Sequence, residues 1–212
     1  MPTPSLFSPS FAPRSWAGMS LFAAGTVIFM GIITGEIVYP VTYTTFANDI
    51  SDLGATRPPD SVSYEPSATI FNTGMILGGL LLLLAGLLFV RRRQGTVFTS
   101  VFVLFAASVL GVGLFPGNMA PYHGYFSMGV FVFGAVCALL TFRITNGPFR
   151  IVGGVLGAVS LGVLAAAVFA PAQIVPYLGS GGTERWVAYP VLLWLLGTGG
   201  LLLGSGAQSP AS

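Results

Sequence analysis

Residues 67–90 read SATIFNTGMILGGLLLLLAGLLFV, and Arg91, Arg92 and Arg93 follow at once. No side chain in that stretch is charged. A helix rises about 1.5 Å per residue, so ~20 apolar residues cross a hydrocarbon core about 30 Å thick. The stretch is therefore a membrane span, and the arginines mark where the chain returns to water. Five further stretches pass the same test: 17 to about 40, 96–115, 122–142, 151–170 and 185–204. Charged residues make up 7% of the 212 and hydrophobic residues 54%. A soluble domain carries about 25% charge to cover its surface. Here only lipid tolerates the apolar exterior. The expected fold is all-α: a polytopic membrane protein with six transmembrane helices in an antiparallel bundle.

Arginine placement gives an orientation. Arg14, Arg91, Arg92, Arg93, Arg143 and Arg150 fall on one side of the spans, Arg57 and Arg185 on the other. The first side is expected to be the cytoplasm, with both termini on it and the protein multi-pass in the cell membrane. The first apolar run has one flanking arginine and exceeds a usual signal-peptide core, so it is read as a span. Residues 1–15 and 205–212, rich in Ser, Pro, Ala and Gly, are expected to be flexible cytoplasmic tails around a transmembrane domain at 16–204. The cytoplasmic loops, 91–95 and 143–150, are short and make successive helices antiparallel neighbours. The first outer loop, 41–66, is long, and Tyr43, Phe46, Tyr64 and the Pro58-Pro59 pair favour an ordered cap.

Several chemistries are excluded by residue type. All eight basic residues are arginine, which removes lysine Schiff bases and a Walker A phosphate loop. One histidine, His123, cannot make a three-histidine zinc site or a bis-histidine haem within one chain. No metal or cofactor is expected. One cysteine, Cys137, cannot form an intrachain disulfide. A net charge of +2 gives no case for nucleic acid. Gly74 and Gly78, and Gly153 and Gly157, have the four-residue spacing that lets helix backbones approach. They serve packing within the bundle or, in the sharper reading, a homo-oligomer face.

The polar residues gather at one membrane face. Glu36 lies near the outer end of the first span and Asn72 one turn inside the second. Asn118 and His123 bracket the third outer loop. Glu184 and Arg185 open the sixth span, and Asp52 sits in the long loop. Polar groups in a membrane are costly and are usually paired or functional. The seven are the candidate ligand-binding set, with Glu36 or Glu184 neutralised by Arg185 and His123 on the pocket wall. Each also has a structural explanation: helix-start carboxylates are favoured by the macrodipole, and an asparagine in a turn satisfies backbone donors. Lipid handling at headgroup depth suits Arg185, Trp186 and the loop aromatics, and makes membrane lipids the expected partners. Hydrolysis or acyl transfer would use Ser51 or a neighbouring serine as nucleophile, His123 as base and Asp52 as orienting acid. Transport needs a polar path, and the inner halves of the spans are almost purely apolar. An assembly partner docking on the glycine faces is the remaining alternative.

Glycine-rich spans, the Phe115-Pro116 turn, His123-Gly124 opening the fourth helix and Gly182-Thr183-Glu184-Arg185 opening the sixth resemble the domain-of-unknown-function family numbered 998. That family consists of six-helix membrane proteins of bacteria and archaea. The resemblance covers nearly the whole chain and points to Pro116, His123, Glu184 and Arg185. Ile50-Ser51-Asp52-Leu53-Gly54, then Arg57-Pro58-Pro59-Asp60-Ser61 and Ile70-Phe71-Asn72, is similar at greater distance to the first loop of the Frag/DRAM/Sfk membrane family. Leu53 stands where that family has threonine, Asp60 where it has glutamate, and residues 62–66 are inserted. This second likeness implies lipid handling by analogy and points to Ser51, Asp52, Pro59 and Asp60.

Overall fold

The computed structural model describes residues 12–91, 95–145 and 147–207. It contains six long helices: α1 (Ala12–Ile37), α2 (Ser67–Arg91), α3 (Thr96–Leu114), α4 (Tyr122–Ile144), α5 (Phe149–Phe169) and α6 (Val175–Ala207). All six are long and apolar enough to cross a membrane. The expected tails and Arg92 and Arg93 lie largely or wholly outside the described residues.

Five helices form a closed ring. α1 packs on α2, α2 on α3, α3 on α4, α4 on α6 and α6 back on α1, while α5 lies outside against α4 and α6. On α2 the buried positions Phe71, Met75, Leu82, Ala85 and Phe89 face the ring, and Leu77, Leu80, Leu84 and Leu87 are exposed. Both sets recur at three- and four-residue spacing, as one helical face each. Because lipid is as apolar as the core, close packing has to hold the helices together. Glycine supplies it: a Cβ on Gly79 would lie 2.6 Å from the Leu110 backbone, so α2 and α3 meet at a distance only glycine permits. Gly74 and Gly78 face Gly31 and Ile28 of α1, and Gly153 and Gly157 face Thr141 and Ala135 of α4. Each of these four positions is occupied by a neighbour in the same chain.

The half of the ring remote from residues 38–66 is packed solid. Leu21, Leu82, Phe102, Cys137, Trp194 and Leu195 are fully buried there, and the Trp194 indole donates to Thr141 Oγ1 at 2.7 Å. Residues 38–66 cover the other end and form a packed cap. A short 3-10 turn, Ile50–Leu53, buries Ile50 and Leu53 in the mouth of the bundle. Ser67 Oγ donates to the Leu53 carbonyl at 3.1 Å and Asn72 Nδ2 to the Gly54 carbonyl at 3.4 Å.

One boundary differs materially from the sequence reading. α6 begins at Val175, ten residues before the expected 185. Gly179, Gly181 and Gly182 are poor helix formers and hide the helix from a propensity reading. Gly179 (φ 71°, ψ 175°) breaks the helix after its first turn. Arg185 therefore lies about 9 Å along the helix beyond that kink, inside the helix and not at its start.

Candidate functional site

At the capped end most of the polar residues clamp the loop. Arg185 is 7% exposed. Its Nη1 donates to the carbonyls of Thr45 (3.2 Å), Asn48 (2.9 Å) and Gly181 (2.9 Å). Its Nη2 donates to Glu36 Oε1 (2.6 Å) and to the Tyr43 hydroxyl (2.7 Å). Glu36 is thus the carboxylate that neutralises it, and α1, α6 and the loop are tied through one guanidinium. The Tyr43 hydroxyl in turn donates to the Asp49 carbonyl at 2.9 Å. Burial pushes the Tyr43 phenol well above its ordinary range, with Arg185 opposing, so it stays a neutral donor. The acid of α6, Glu184, accepts from the Ile50 N–H. Ser180 Oγ donates to the Ala47 carbonyl at 2.8 Å, and Gly181 N–H to that of Phe46 at 3.0 Å.

Asp52 belongs to the loop itself. Its carboxylate accepts from the Asp49 N–H at 3.0 Å, while Asp49 pairs on the surface with Arg57 at 2.8 Å. Burial first, and the Asp49 charge second, raise the Asp52 carboxyl above its usual value. A carboxyl raised in the folded state favours folding while protonated, and that contribution is lost as pH rises through the folded value. An asparagine there keeps the acceptor and removes the half-buried charge. Asp52→Asn should therefore raise the melting temperature near pH 7, with the difference shrinking toward pH 4. Thermal unfolding across that range checks it; a variant less stable than wild type at pH 7 would show that the charge itself is needed.

The triad expected from Ser51, His123 and Asp52 is not what closes around the imidazole. His123, 4% exposed, has Nδ1 2.8 Å from the Phe115 carbonyl and Nε2 3.1 Å from Ser127 Oγ. A carbonyl only accepts, so the neutral ring carries its hydrogen on Nδ1 and Nε2 receives the Ser127 hydroxyl. Ser51 Oγ is buried and has no hydrogen-bond partner among the described residues. Asn118 is exposed in the turn between α3 and α4. Ser127 was legible in principle, since it lies four residues after His123 on one helix face.

Two spaces adjoin this clamp. An internal cavity of about 70 Å³ is lined by Ser51, Ser127 and Glu184 at its polar end. Apolar side chains such as Ile28, Met75, Phe105 and Val191 line the rest. The second is a groove of about 670 Å³ on the outside of the ring, between α5 and α6 under the loop. Leu156 and Val159 of α5, Leu193 and Trp186 of α6 and Phe46 of the loop wall it, and Tyr177, Tyr189 and Arg185 lie at its polar end. Arg185 Nε is buried there and makes no hydrogen bond among the described residues, although the Tyr189 hydroxyl interacts with the same guanidinium. Pro190, also in the groove, has no N–H, so the Trp186 carbonyl loses its usual helical donor. Of the seven expected site residues, Glu184 lines the cavity and Arg185 the groove.

A family model described as "Protein of unknown function (DUF998)" matches residues 15–200. The chain belongs to the DUF998 family. In this DUF998 chain the matched segment runs through all six helices, the clamped loop and both spaces beside it. No curated protein and no solved structure matches the chain.

Proposed function

We propose that this multi-pass membrane protein holds a polar-headed membrane lipid in the groove between α5 and α6. Size selects the groove over the internal cavity: ligand sites for molecules of that order occupy about 300–1,000 Å³, and the groove measures about 670 Å³. The observation that carries the reading is Arg185 in the groove lining, buried, with no hydrogen bond from Nε among the described residues and the Tyr189 hydroxyl interacting with its guanidinium. A buried unsatisfied donor costs about 1–3 kcal/mol, and a lipid phosphate or ester oxygen at the groove floor would supply the acceptor. Glu36 already neutralises the guanidinium, so the site asks for an oxygen acceptor and not for net negative charge. Trp186, Tyr177 and Tyr189 suit the interface between headgroup and acyl chain. Arginine placement favours the outer face of the cell membrane for this end. Conduction is disfavoured by the solid packing of the opposite half of the ring.

Leu156→Trp fills the groove and touches none of the clamp's hydrogen bonds. Native mass spectrometry from mild detergent should show lipid retained by wild type and lost from Leu156→Trp, with both melting at similar temperatures. Equal lipid retention by the two proteins contradicts the proposal.

A further inference from the structure

The internal cavity carries a second inference that does not rest on the α5–α6 groove. Its polar end brings together a serine hydroxyl on a histidine nitrogen and a second serine with nothing to bond. Ser127 Oγ lies 3.1 Å from His123 Nε2, and the Phe115 carbonyl, 2.8 Å from Nδ1, fixes the tautomer in which Nε2 can take a proton. That is the arrangement of nucleophile, base and orienting acceptor, with a backbone carbonyl in place of a carboxylate. Ser51 lines the same cavity, is 4% exposed, and leaves its Oγ without a partner. A buried polar atom left unsatisfied asks for an explanation, and an acceptor entering the cavity would supply one for Ser51. Among the described residues the cavity walls are otherwise apolar apart from Glu184, so they suit a hydrocarbon tail and exclude a charged one.

We infer that Ser127 and His123 form a nucleophile–base pair that cleaves short-chain carboxylic esters inside the bundle, with Ser51 as a hydrogen-bond donor to the substrate oxygen. Ser127 Oγ attacks the ester carbonyl carbon as its proton passes to His123 Nε2. The carbonyl oxygen becomes an oxyanion that accepts from Ser51 Oγ–H. Collapse breaks the bond to the alcohol oxygen, which leaves with the proton from Nε2 and gives an acyl-Ser127. Water then attacks the acyl carbon, Nε2 takes its proton and returns it to Ser127, and a carboxylic acid is released. A volume of about 70 Å³ admits both a water, which needs at least ~10–15 Å³, and an acyl group of a few carbons. It excludes a full lipid acyl chain, which makes the substrate class short.

The test uses the full chain in lipid nanodiscs, a fluorophosphonate probe with peptide mapping, and p-nitrophenyl butyrate as ester. Wild type should carry the phosphonate on Ser127 and release p-nitrophenol. Ser127→Ala, which removes one oxygen, should lose both. His123→Asn should slow labelling at least tenfold. Ser51→Ala should keep the label yet lose turnover about a hundredfold, as when an oxyanion donor is removed. A merely structural Ser127–His123 bond would leave wild type unlabelled at Ser127 and no better at releasing p-nitrophenol than Ser127→Ala. That result, obtained with a known intramembrane serine hydrolase labelled in the same bilayers, overturns the inference. The lipid-retention comparison of Leu156→Trp is unaffected by either outcome, so the two proposals fail separately.

Discussion

Arg185→Ala is expected to destabilise the fold by about 3–5 kcal/mol, because it leaves a partly buried carboxylate without its cation. The Glu36 side chain is 22% exposed and that of Arg185 8%, so little water is available to either. The same substitution removes the donors held by the Thr45 and Asn48 carbonyls and should release the loop. Thermal unfolding and proteolysis between residues 41 and 66 should both register the loss. The double variant Arg185→Met, Glu36→Met should recover much of the melting temperature, since neither charge is then left alone. It should not recover all of it, because the loop carbonyls remain unpaired. A single variant as stable as wild type would mean that the clamp contributes nothing to the fold.

Gly179→Ala has the second largest expected effect, for two independent reasons. Its φ of 71° with ψ of 175° lies in a region essentially restricted to glycine, at a cost of about 1–3 kcal/mol for another residue. A Cβ there would also run into the carbonyl oxygen of Phe46, which belongs to the loop and has no flexible end to yield. The variant should unfold at lower temperature and expose the loop in the same way as Arg185→Ala. Gly162→Ala is the control: a Cβ at this helical position in α5 meets nothing within 4 Å. It should be neutral, or stabilising by up to ~1 kcal/mol from helix propensity. Equal loss at both positions would point to a general intolerance of substitution and not to the kink.

How far the sequence could be read follows from the kind of signal each feature gives. Uninterrupted apolar length is unambiguous in a chain so poor in charge, and the starts of α2, α3 and α4 at residues 67, 96 and 122 followed from it. The start of α6 did not, because Gly179, Gly181 and Gly182 read as a breaker, yet they are what lets the backbone pass beside Phe46 and Asn48. Polar residues at helix ends showed which end of the bundle the loop is tied to, and opposite charge made Glu36 or Glu184 the partner of Arg185. Which of the two it is depends on the rotation of α6, which no spacing in α1 or the loop encodes. Pairings between side chains and carbonyls of the loop were equally hidden, since every residue has a carbonyl. His123 and Ser127 stand four residues apart on α4, a spacing the sequence shows and the structure turns into a hydrogen bond, while Ser51 lines the cavity with its Oγ unpaired among the described residues.

The central claim, that a membrane lipid occupies the α5–α6 groove, is tested most directly by photo-crosslinking in bilayers with a phospholipid carrying a diazirine in its acyl chain. The account predicts adducts concentrated on the groove wall at Leu156, Val159 and Leu193, well above those at lipid-facing Leu80 and Leu84 of α2. Adducts spread evenly over all lipid-facing positions would contradict it.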